Sequence, residues 1–531
     1  MHQTSRWAKT SVTLGLAVPF ALMSGFAGAQ ELTIGSKIEP GTLDPHYRNS
    51  GENHSHLPAM MEYLMWRDAD LNVQPHLITE LRKIDDVTYE ASLREGVVFH
   101  DGSTFDAADV AYVVERIPAI PEGLGDFIGF IDEIDRVEIV DAHRVVFHLT
   151  EPVADLARNL SSVMALPSEL GLDVSPAQFD SGEAVIGTGP YRLESFTPGQ
   201  GLVLSRFDEY WGAAPDFETV TIQPISNDAS RVAALMGGEV DLIDFVPLAD
   251  AARLREDADI AVFEAPESRL MFAMMDSIRD DSPYVRGADG EPLAENPLRN
   301  PAVRRALSLA IDRGLLIDRV LEGAGTPAAQ ALSPEVACTS ADLAVPDYDP
   351  DAARALLAEA GYPEGFGITL HGPSDRYPGG ERVVQALAQF WSQIGLDVEV
   401  ETFTRSVFFD RARANEYSIY FAGYGATTTF NVLNAIAHTN DPDLGRGAAN
   451  RGRYSNPAVD EMIVAASRET DAETRCAMTA RINDMVFGQD VGIIPLYHPL
   501  NSWAARTDAG VTYAPNPEGL TWLRGASLSA Q

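Results

Sequence analysis

Residues 381–400, ERVVQALAQFWSQIGLDVEV, decide the fold class of this 531-residue chain. Four apolar residues of this stretch recur at helical spacing: Val384, Leu387, Trp391 and Ile394. Gly395 then ends the predicted helix. The residues that follow alternate with polar ones, as in a half-buried strand: Leu396, Val398 and Val400. A helix–turn–strand unit of this kind predicts a mixed α/β fold.

Similar signals lie on the N-terminal side of this unit. Asp349 and Pro350 supply a helix cap and a first-turn proline, and Gly361 ends that helix. Asp106 precedes another helical pattern, whose apolar face holds Val110, Val113, Val114 and Ile117. Residues 137–140 and 145–149 flank a short turn and predict a β-hairpin. Helices and strands are therefore intermingled along the chain.

The N-terminus has the pattern of a secretory signal peptide over residues 1–29. Arg6 and Lys9 precede a largely apolar run at residues 11–23, and AGA (27–29) offers the small residues at which signal peptidase cuts. The run is shorter than the ~20 apolar residues that span a bilayer. No cysteine lies near the cleavage site to carry a lipid. We therefore expect an exported, unanchored protein in a periplasm, cleaved near Ala29.

The chain is strongly acidic. Asp and Glu outnumber Lys and Arg by 78 to 39, a formal net charge of -39. Such a surface repels nucleic acid and anionic lipid, so neither is an expected partner. Charge alone does not name a ligand.

The two cysteines, Cys338 and Cys476, leave two possibilities open. An oxidising compartment allows them to pair as a disulfide. They are equally compatible with two buried free thiols, because sequence separation does not show whether their Cα atoms are close enough to be bridged.

Ten short motifs follow one another over nearly the whole chain after the signal peptide. They are TLDP (42–45), LREGVVFHDG (93–102), FDAADV (105–110), GTGPY (187–191), YWG (210–212), VRRAL (303–307), AIDR (310–313), YDP (348–350), YSNP (454–457) and PLY (495–497). Each is weak alone. In this order the set resembles family 5 of the ABC-transporter solute-binding proteins, the peptide/nickel/oligopeptide-binding class.

The resemblance implies a bilobal α/β fold of the periplasmic binding protein kind, type II, enlarged by an inserted subdomain. Lobe I would comprise residues 30–72, 187–268 and 496–531, with the subdomain at 73–186, and lobe II residues 269–495. Crossings near 263–268 and 495–498 would form a hinge. Such a protein, expected to be a monomer, would enclose a peptide-like small molecule between its lobes and deliver it to an inner-membrane ABC permease.

One expected anchor of the ligand is an arginine for its carboxylate. The segment GPSDRY (372–377) resembles the arginine-bearing segment of dipeptide-binding members and points to Arg376, with Asp375 and Tyr377 beside it. A guanidinium offers two parallel N–H donors to one carboxylate, and a dry cleft strengthens that pairing. The alternative is a solvated or interlobe arginine.

The other expected anchor departs from the family pattern. In GYGATTTF (423–430), Tyr424 replaces a tryptophan, and Thr427, followed by Thr428, stands where an aspartate would hold the ligand's α-ammonium. A hydroxyl cannot neutralise a buried ammonium, so free-amine peptides are in doubt unless Asp375 or Glu52 supplies the charge. An acylated, cyclic, sugar-linked or non-peptide solute (an oligosaccharide, an opine-like molecule or a metal chelate) is the alternative. Tyr424 and Phe430 either stack on such a ligand or belong to the core.

An early loop supplies the remaining candidates. His46, Glu52 and His54 lie on a segment that often borders the cleft in the family. With His56, the histidines also permit a metal site. His-x-His is common by chance in a chain with 11 histidines, however, so no metal and no cofactor is expected.

The sequence does not favour an enzyme. We find no Gly-x-Ser-x-Gly, His-Glu-x-x-His, Walker, Gly-x-Gly-x-x-Gly or Cys-x-x-Cys motif. A periplasmic hydrolase is therefore a remote alternative. A structural or adhesive protein is disfavoured because the chain has no tandem repeats and carries the ordered motifs.

Overall fold

The computed structural model describes residues 31–120, 127–334, 336–441 and 446–529, so the predicted signal peptide lies outside the described residues. The strands are β1 (Glu31–Ser36), β2 (Trp66–Arg67), β3 (Val73–Gln74), β4 (Ile78–Asp85), β5 (Thr88–Leu93), β6 (Ile134–Asp141), β7 (Arg144–Leu149), β8 (Tyr191–Thr197), β9 (Gly201–Arg206), β10 (Thr219–Pro224), β11 (Leu242–Asp244), β12 (Ile260–Pro266), β13 (Arg269–Met275), β14 (Val285–Arg286), β15 (Gly325–Pro327), β16 (Gly367–Pro373), β17 (Asp397–Phe403), β18 (Ile419–Gly425), β19 (Ile493–Arg506), β20 (Val511–Tyr513) and β21 (Ala526–Leu528).

The α-helices are α1 (Gly51–His56), α2 (Ala107–Ala119), α3 (Leu156–Leu160), α4 (Pro176–Asp180), α5 (Asp228–Gly237), α6 (Leu248–Glu256), α7 (Pro301–Leu309), α8 (Arg313–Leu315), α9 (Pro350–Glu359), α10 (Gly380–Gln393), α11 (Arg405–Arg413), α12 (Thr429–Ile436), α13 (Pro457–Arg468) and α14 (Ala472–Asn483). Short 3-10 helices lie at Leu57–Ala59, Ile128–Phe130, Ser168–Leu170, Pro297–Arg299 and Leu523–Gly525. Single π-helical turns, Leu316–Val320 and Asp484–Gln489, extend α8 and α14.

The stretch that predicted the fold class forms the predicted elements. It folds as α10 followed by β17, and Trp391 is fully buried with its indole N–H donating to the carbonyl of Leu307 at 3.0 Å. The caps are also as predicted. The Asp349 carboxylate accepts from the amide of Ala352 at 2.8 Å at the start of α9, and Asp106 begins α2. The predicted hairpin is β6–β7.

The strands belong to two halves that share one long strand. We call lobe I the half built on β1 and β8–β12, and lobe II the half built on β13–β18. β19 pairs with β13 and β15 through residues 493–499, and with β11 and β12 through residues 500–506. The chain also passes directly from β12 to β13 at residues 267–268. These two connections join the lobes.

The lobe II sheet is covered on both faces. Along β13, successive side chains alternate between two apolar clusters, one packed under α7, α9 and α10 and the other under α11–α14. A strand that is buried on both faces is apolar at successive positions, as residues 270–275 are. Lobe I shares its largest core with the antiparallel sheet β4–β5–β7–β6, to which α2 packs.

The structure joins the two cysteines in a disulfide. Cys338 and Cys476 have Cα atoms 4.4 Å apart and are 138 positions apart in sequence. The bridge ties the segment before α9 to α14, both in lobe II. Of the two possibilities that the sequence left open, the disulfide is the one that the structure contains.

Candidate ligand-binding site

The edge of the lobe II sheet gathers side chains from four strands. β16 is parallel to β17 and to β18, so the carboxyl ends of all three strands meet at one edge. Arg376 follows β16 and Arg405 follows β17. Arg269 begins β13, which is antiparallel to β18 and places Arg269 opposite Gly425. In α/β sheets, ligands bind in the crevice outside the carboxyl ends of the strands.

A cavity of about 490 Å³ opens at this edge. We call it the arginine cavity, because its wall carries Arg269, Arg376, Arg405, Arg413 and Arg451. Aromatic rings complete the wall: Phe272, Tyr377, Phe409, Tyr420 and Tyr424. The structure brings together three of the residues that the sequence proposed for ligand contact, Arg376, Tyr377 and Tyr424. The other four arginines were not among the predicted residues.

The charges of the arginine cavity are unbalanced. Arg269 pairs with Glu267, N to O 2.6 Å, and Arg413 pairs with Asp410. Among the described residues, no carboxylate lies within ion-pairing distance of the guanidinium of Arg376, Arg405 or Arg451. In a chain with a net charge of -39, this is a local concentration of positive charge. A cleft lined by one sign of charge attracts ligands of the opposite sign.

Arg376 is half-buried, with its guanidinium 5.2 Å from the centroid of the Tyr377 ring. Burial lowers the pKa of Arg376, and the positive charge of Arg269 lowers it further. Both causes disfavour the charged form of the Arg376 side chain. A ligand carboxylate placed beside it would stabilise that charged form. The geometry suits an anion held by a fork of N–H donors.

Tyr377 and Asp375 fix the backbone around Arg376 through hydrogen bonds. The Tyr377 hydroxyl donates to the carbonyl of Gly423 at 3.0 Å and accepts from its amide at 2.9 Å, which ties the segment after β16 to β18. Asp375 is exposed and accepts from the amide of Arg405 at 2.6 Å, at the first turn of α11. It does not line the arginine cavity, so the structure gives it no contact with a ligand ammonium there.

Arg269 lies over two glycines of β18. A Cβ added to Gly425 would come within 3.4 Å of the Arg269 Cζ, and one added to Gly423 would come within 3.3 Å of its Cδ. Other atoms are nearer, however: a Cβ at Gly423 would come within 2.4 Å of Met271 Sδ, and one at Gly425 within 2.9 Å of the Ser268 carbonyl oxygen. The only sequence signal for Arg269 is an arginine directly before the apolar run of residues 270–275.

The other predicted residues of the 423–430 segment line a different cavity. Thr427, Thr428 and Phe430 belong to the wall of a space of about 620 Å³ between lobe II and residues 151–155, 158 and 159 of the predicted inserted subdomain. We call it the interlobe cavity. Thr428 is also the cap of α12, accepting from the amide of Asn431 at 3.0 Å, and Phe430 packs against the lobe II core. The structure thus divides the predicted segment between two cavities.

The interlobe cavity is bordered by direct contacts between its two sides. Arg475 donates to the carbonyl of Ala154 and lies 3.6 Å from the carboxylate of Asp155, while the Lys83 ammonium donates to Thr470 Oγ1 at 2.9 Å. Arg158 pairs with the same Asp155 at 3.1 Å. Charges of both signs face each other here.

The histidine loop lies apart from both cavities. His46 is buried; its Nδ1 accepts from Arg116 at 3.1 Å and its Nε2 donates to the carbonyl of Met164 at 3.0 Å. Burial, with help from Arg116, lowers its pKa well below the usual value, so the ring is neutral. Glu52 is half-buried in the first turn of α1.

His54 is likewise held inside lobe I. Its ring nitrogens bond to the Tyr63 hydroxyl at 2.6 Å and to the Asn49 amide oxygen at 2.7 Å, and burial lowers its pKa to about 4. Neither histidine lines the arginine or the interlobe cavity. In the part of the chain that the structure describes, no three histidine, cysteine, aspartate or glutamate side chains are arranged to hold a metal ion. None of the helices described there has the length and apolar character to cross a bilayer.

Comparison with known proteins agrees with this architecture. The model of the bacterial extracellular solute-binding proteins, family 5, matches residues 72–442. The glutathione-binding protein GsiB of Salmonella paratyphi A is 26% identical over 529 residues, covering 97% of each chain. HbpA2 from Haemophilus parasuis superposes with a TM-score of 0.81 at 22% identity, over 94% of this chain and all of that one.

A second solved structure bears on the fold. The ABC transporter-associated periplasmic binding protein DppA from Helicobacter pylori, in complex with the peptide STSA, superposes with a TM-score of 0.70 at 22% identity, over 94% of this chain and 98% of that one. The resemblance seen in the motifs is thereby confirmed, as is the bilobal α/β fold. The chain belongs to family 5 of the bacterial extracellular solute-binding proteins, the binding components of ABC importers.

Proposed function

We propose that this protein captures a peptide-like carboxylate in the arginine cavity and delivers it intact to a permease. The observation that carries the proposal is the presence of Arg376, Arg405 and Arg451, without ion pairs among the described residues, in a concave and partly aromatic wall. Uncompensated cations at the carboxyl edge of a sheet favour an anionic ligand.

A peptide-like solute is supported by the relatives and by the shape of the wall. GsiB is named for glutathione, and the H. pylori DppA structure contains a peptide. Tyr424 and Tyr377 offer aromatic surface beside Arg376, which suits the side chain or backbone face of a short peptide. Glutathione is therefore the first solute to test.

Capture would require the lobes to close over the cavity. Every residue of the arginine-cavity wall belongs to lobe II, from Arg269 to Arg451. The two connections between the lobes, residues 267–268 and the middle of β19, are short enough to act as a hinge. Closure would exclude water and strengthen the ion pair at Arg376.

The proposal includes export. The signal peptide predicted over residues 1–29, with cleavage near Ala29, would deliver a soluble, unanchored monomer to the periplasm. The disulfide between Cys338 and Cys476 suits that oxidising compartment.

The test is titration of the mature chain, residues 30–531, purified without refolding. Native mass spectrometry should show one small molecule per chain, and calorimetry with glutathione should give a saturable 1:1 isotherm. Thermal stability should rise with occupancy. The ligand should be recovered unchanged after long incubation. Lack of binding by glutathione and by a panel of peptides would contradict the proposal, and turnover of the ligand would contradict a pure binding role.

A further inference from the structure

Arg451 points to more than one anionic group in the ligand, an inference that rests on the proposed function. Arg269 and Arg413 are each neutralised by a neighbouring carboxylate. Asp410 is the one acidic residue in the described wall, and it is occupied by Arg413. Three guanidinium charges remain, of which that of Arg405 is exposed and those of Arg376 and Arg451 are half-buried. A ligand with one carboxylate would leave one of the two half-buried charges uncompensated.

The loop that carries Arg451 is fixed on both sides. Asn450 is buried and its side chain donates to the carbonyls of His438 and Tyr454, at 2.9 and 2.6 Å. The amide of Gly452 lies 3.2 Å from the sulfur of Met274, and a Cβ added to Gly452 would come within 2.4 Å of the Met274 side chain. The backbone at Arg451 therefore has little freedom, so its side chain starts from a set position.

The Arg451 side chain has an unsatisfied donor. Its guanidinium lies 5.0 Å from the centroid of the Phe409 ring, and its Nε is buried without a hydrogen-bond partner in the part of the chain that the structure describes. A buried donor left unpaired is costly, and the cost rises for a charged group. An anion bound at the part of the Arg451 guanidinium that lines the cavity would compensate its charge.

Arg451 and Arg376 mark different parts of the wall. Arg376 lies against the ring of Tyr377, which belongs to the apolar cluster under α7, α9 and α10. Arg451 lies against the ring of Phe409, which packs on the cluster under α11–α14, on the other face of the sheet. The wall thus offers two cationic positions beside two different aromatic rings. We infer that the solute carries two anionic groups, the first bound by Arg376 and the second by Arg451.

The test compares ligands that differ by one carboxylate. One pair is glutathione and its glycine monoethyl ester; the other is acetyl-Glu-Ala and acetyl-Ala-Ala. Calorimetry on the wild type should show that each dicarboxylate binds at least about tenfold more tightly than its monocarboxylate partner. In Arg451→Ala this preference should fall to less than about threefold, with Arg451→Lys between the two because it keeps the charge and loses the planar fork.

A matched control separates this effect from a general loss of positive charge. Arg253→Ala removes an exposed arginine that pairs with Asp250 in lobe I, and it should keep the full preference. Unfolding temperatures of the free variants verify that each is folded. Equal binding of both members of each pair by the wild type, or an unchanged preference in Arg451→Ala, would overturn the inference alone. No binding of any of the four compounds would instead overturn the proposed function.

Discussion

The arginine cavity and the interlobe cavity are lined by successive parts of one short segment, residues 423–425 and 427–430, and differ in charge balance. In the interlobe cavity, Arg158 and Arg475 share the carboxylate of Asp155. In the arginine cavity, Arg376 and Arg451 have no acidic partner among the described residues. The described wall of the interlobe cavity also carries Arg446, whose Nη1 is buried without a hydrogen-bond partner, but it has four acidic residues to four arginines. The arginine cavity has one acidic residue to five arginines. The excess of positive charge, which favours an anionic ligand, is therefore in the arginine cavity. Volume does not distinguish the two, because the interlobe cavity is the larger.

Removing the disulfide should have the largest effect and should act on stability alone. Cys338 lines the interlobe cavity and not the arginine cavity. For cysteines 138 positions apart in sequence, the chain-entropy model gives a loss of about 4–5 kcal/mol in the free energy of unfolding for Cys338→Ala/Cys476→Ala. Urea denaturation measures it.

Two controls accompany that double variant. Reductant should destabilise the wild type and leave the double variant unchanged. Glutathione affinity should stay within about threefold of the wild-type value at a temperature where the variant is folded. A large loss of affinity in the folded double variant would mean that the interlobe cavity takes part in binding.

Arg376→Ala should have the largest effect on affinity. If the ligand carboxylate pairs with Arg376 in a closed cleft, truncation should weaken binding by about 2–5 kcal/mol, or roughly 30-fold to several thousand-fold. Calorimetry on the folded variant provides the measurement, with Arg253→Ala as the surface control. Unchanged affinity would show that Arg376 does not contact the ligand. The excess of positive charge would then not mark the arginine cavity as the ligand site.

Lowering the pH should reduce the free energy of unfolding through protonation of His54, and it should not change the ligand affinity through this residue. The pKa of His54 is about 4 in the folded protein, lowered by burial and then by Arg67, against about 6.5 when unfolded. Because the unfolded chain binds the proton more readily, this contribution is present above pH 6.5 and is lost as the pH falls towards 4. It amounts to roughly 3 kcal/mol.

The measurement is urea denaturation of wild type and His54→Gln between pH 7.5 and pH 4. The wild type should lose more stability over that range than His54→Gln, whereas His148→Gln, which removes a surface pair with Glu138, should follow the wild type. If the stability of wild type and His54→Gln falls equally with pH, the fold does not hold the His54 ring neutral. If glutathione affinity changes with the same pH dependence and only in the wild type, His54 contacts the ligand.

Thr427→Asp should have the smallest effect. The family pattern alone would predict tighter binding of free-amine dipeptides, since an aspartate would face the ammonium. Thr427 lines the interlobe cavity, however, while Arg376 lines the other. We therefore expect the affinity for a dipeptide such as Met-Leu to change by less than about threefold, as measured by calorimetry. A gain of tenfold or more would show that the two cavities join when the lobes close.

Much of the fold could be predicted because its signals are local. The apolar spacing of residues 384–394, the caps at Asp106 and Asp349 and the turn at residues 141–143 each depend on neighbours a few positions away. Local motifs indicated only part of the candidate site, namely Arg376, Tyr377 and Tyr424. Arg269 begins β13, Arg405 begins α11, and Arg451 lies on the loop before α13. These residues are far apart in sequence and meet only in the folded lobe, which no local pattern reveals.

A crystal structure of the protein with glutathione, or with the solute that it retains on purification, would show where the ligand carboxylate binds. We expect this carboxylate within about 2.7–2.9 Å of the Arg376 guanidinium nitrogens, inside the arginine cavity and covered by lobe I. A ligand bound in the interlobe cavity against Thr427 and Phe430, with Arg376 facing solvent, would contradict this expectation.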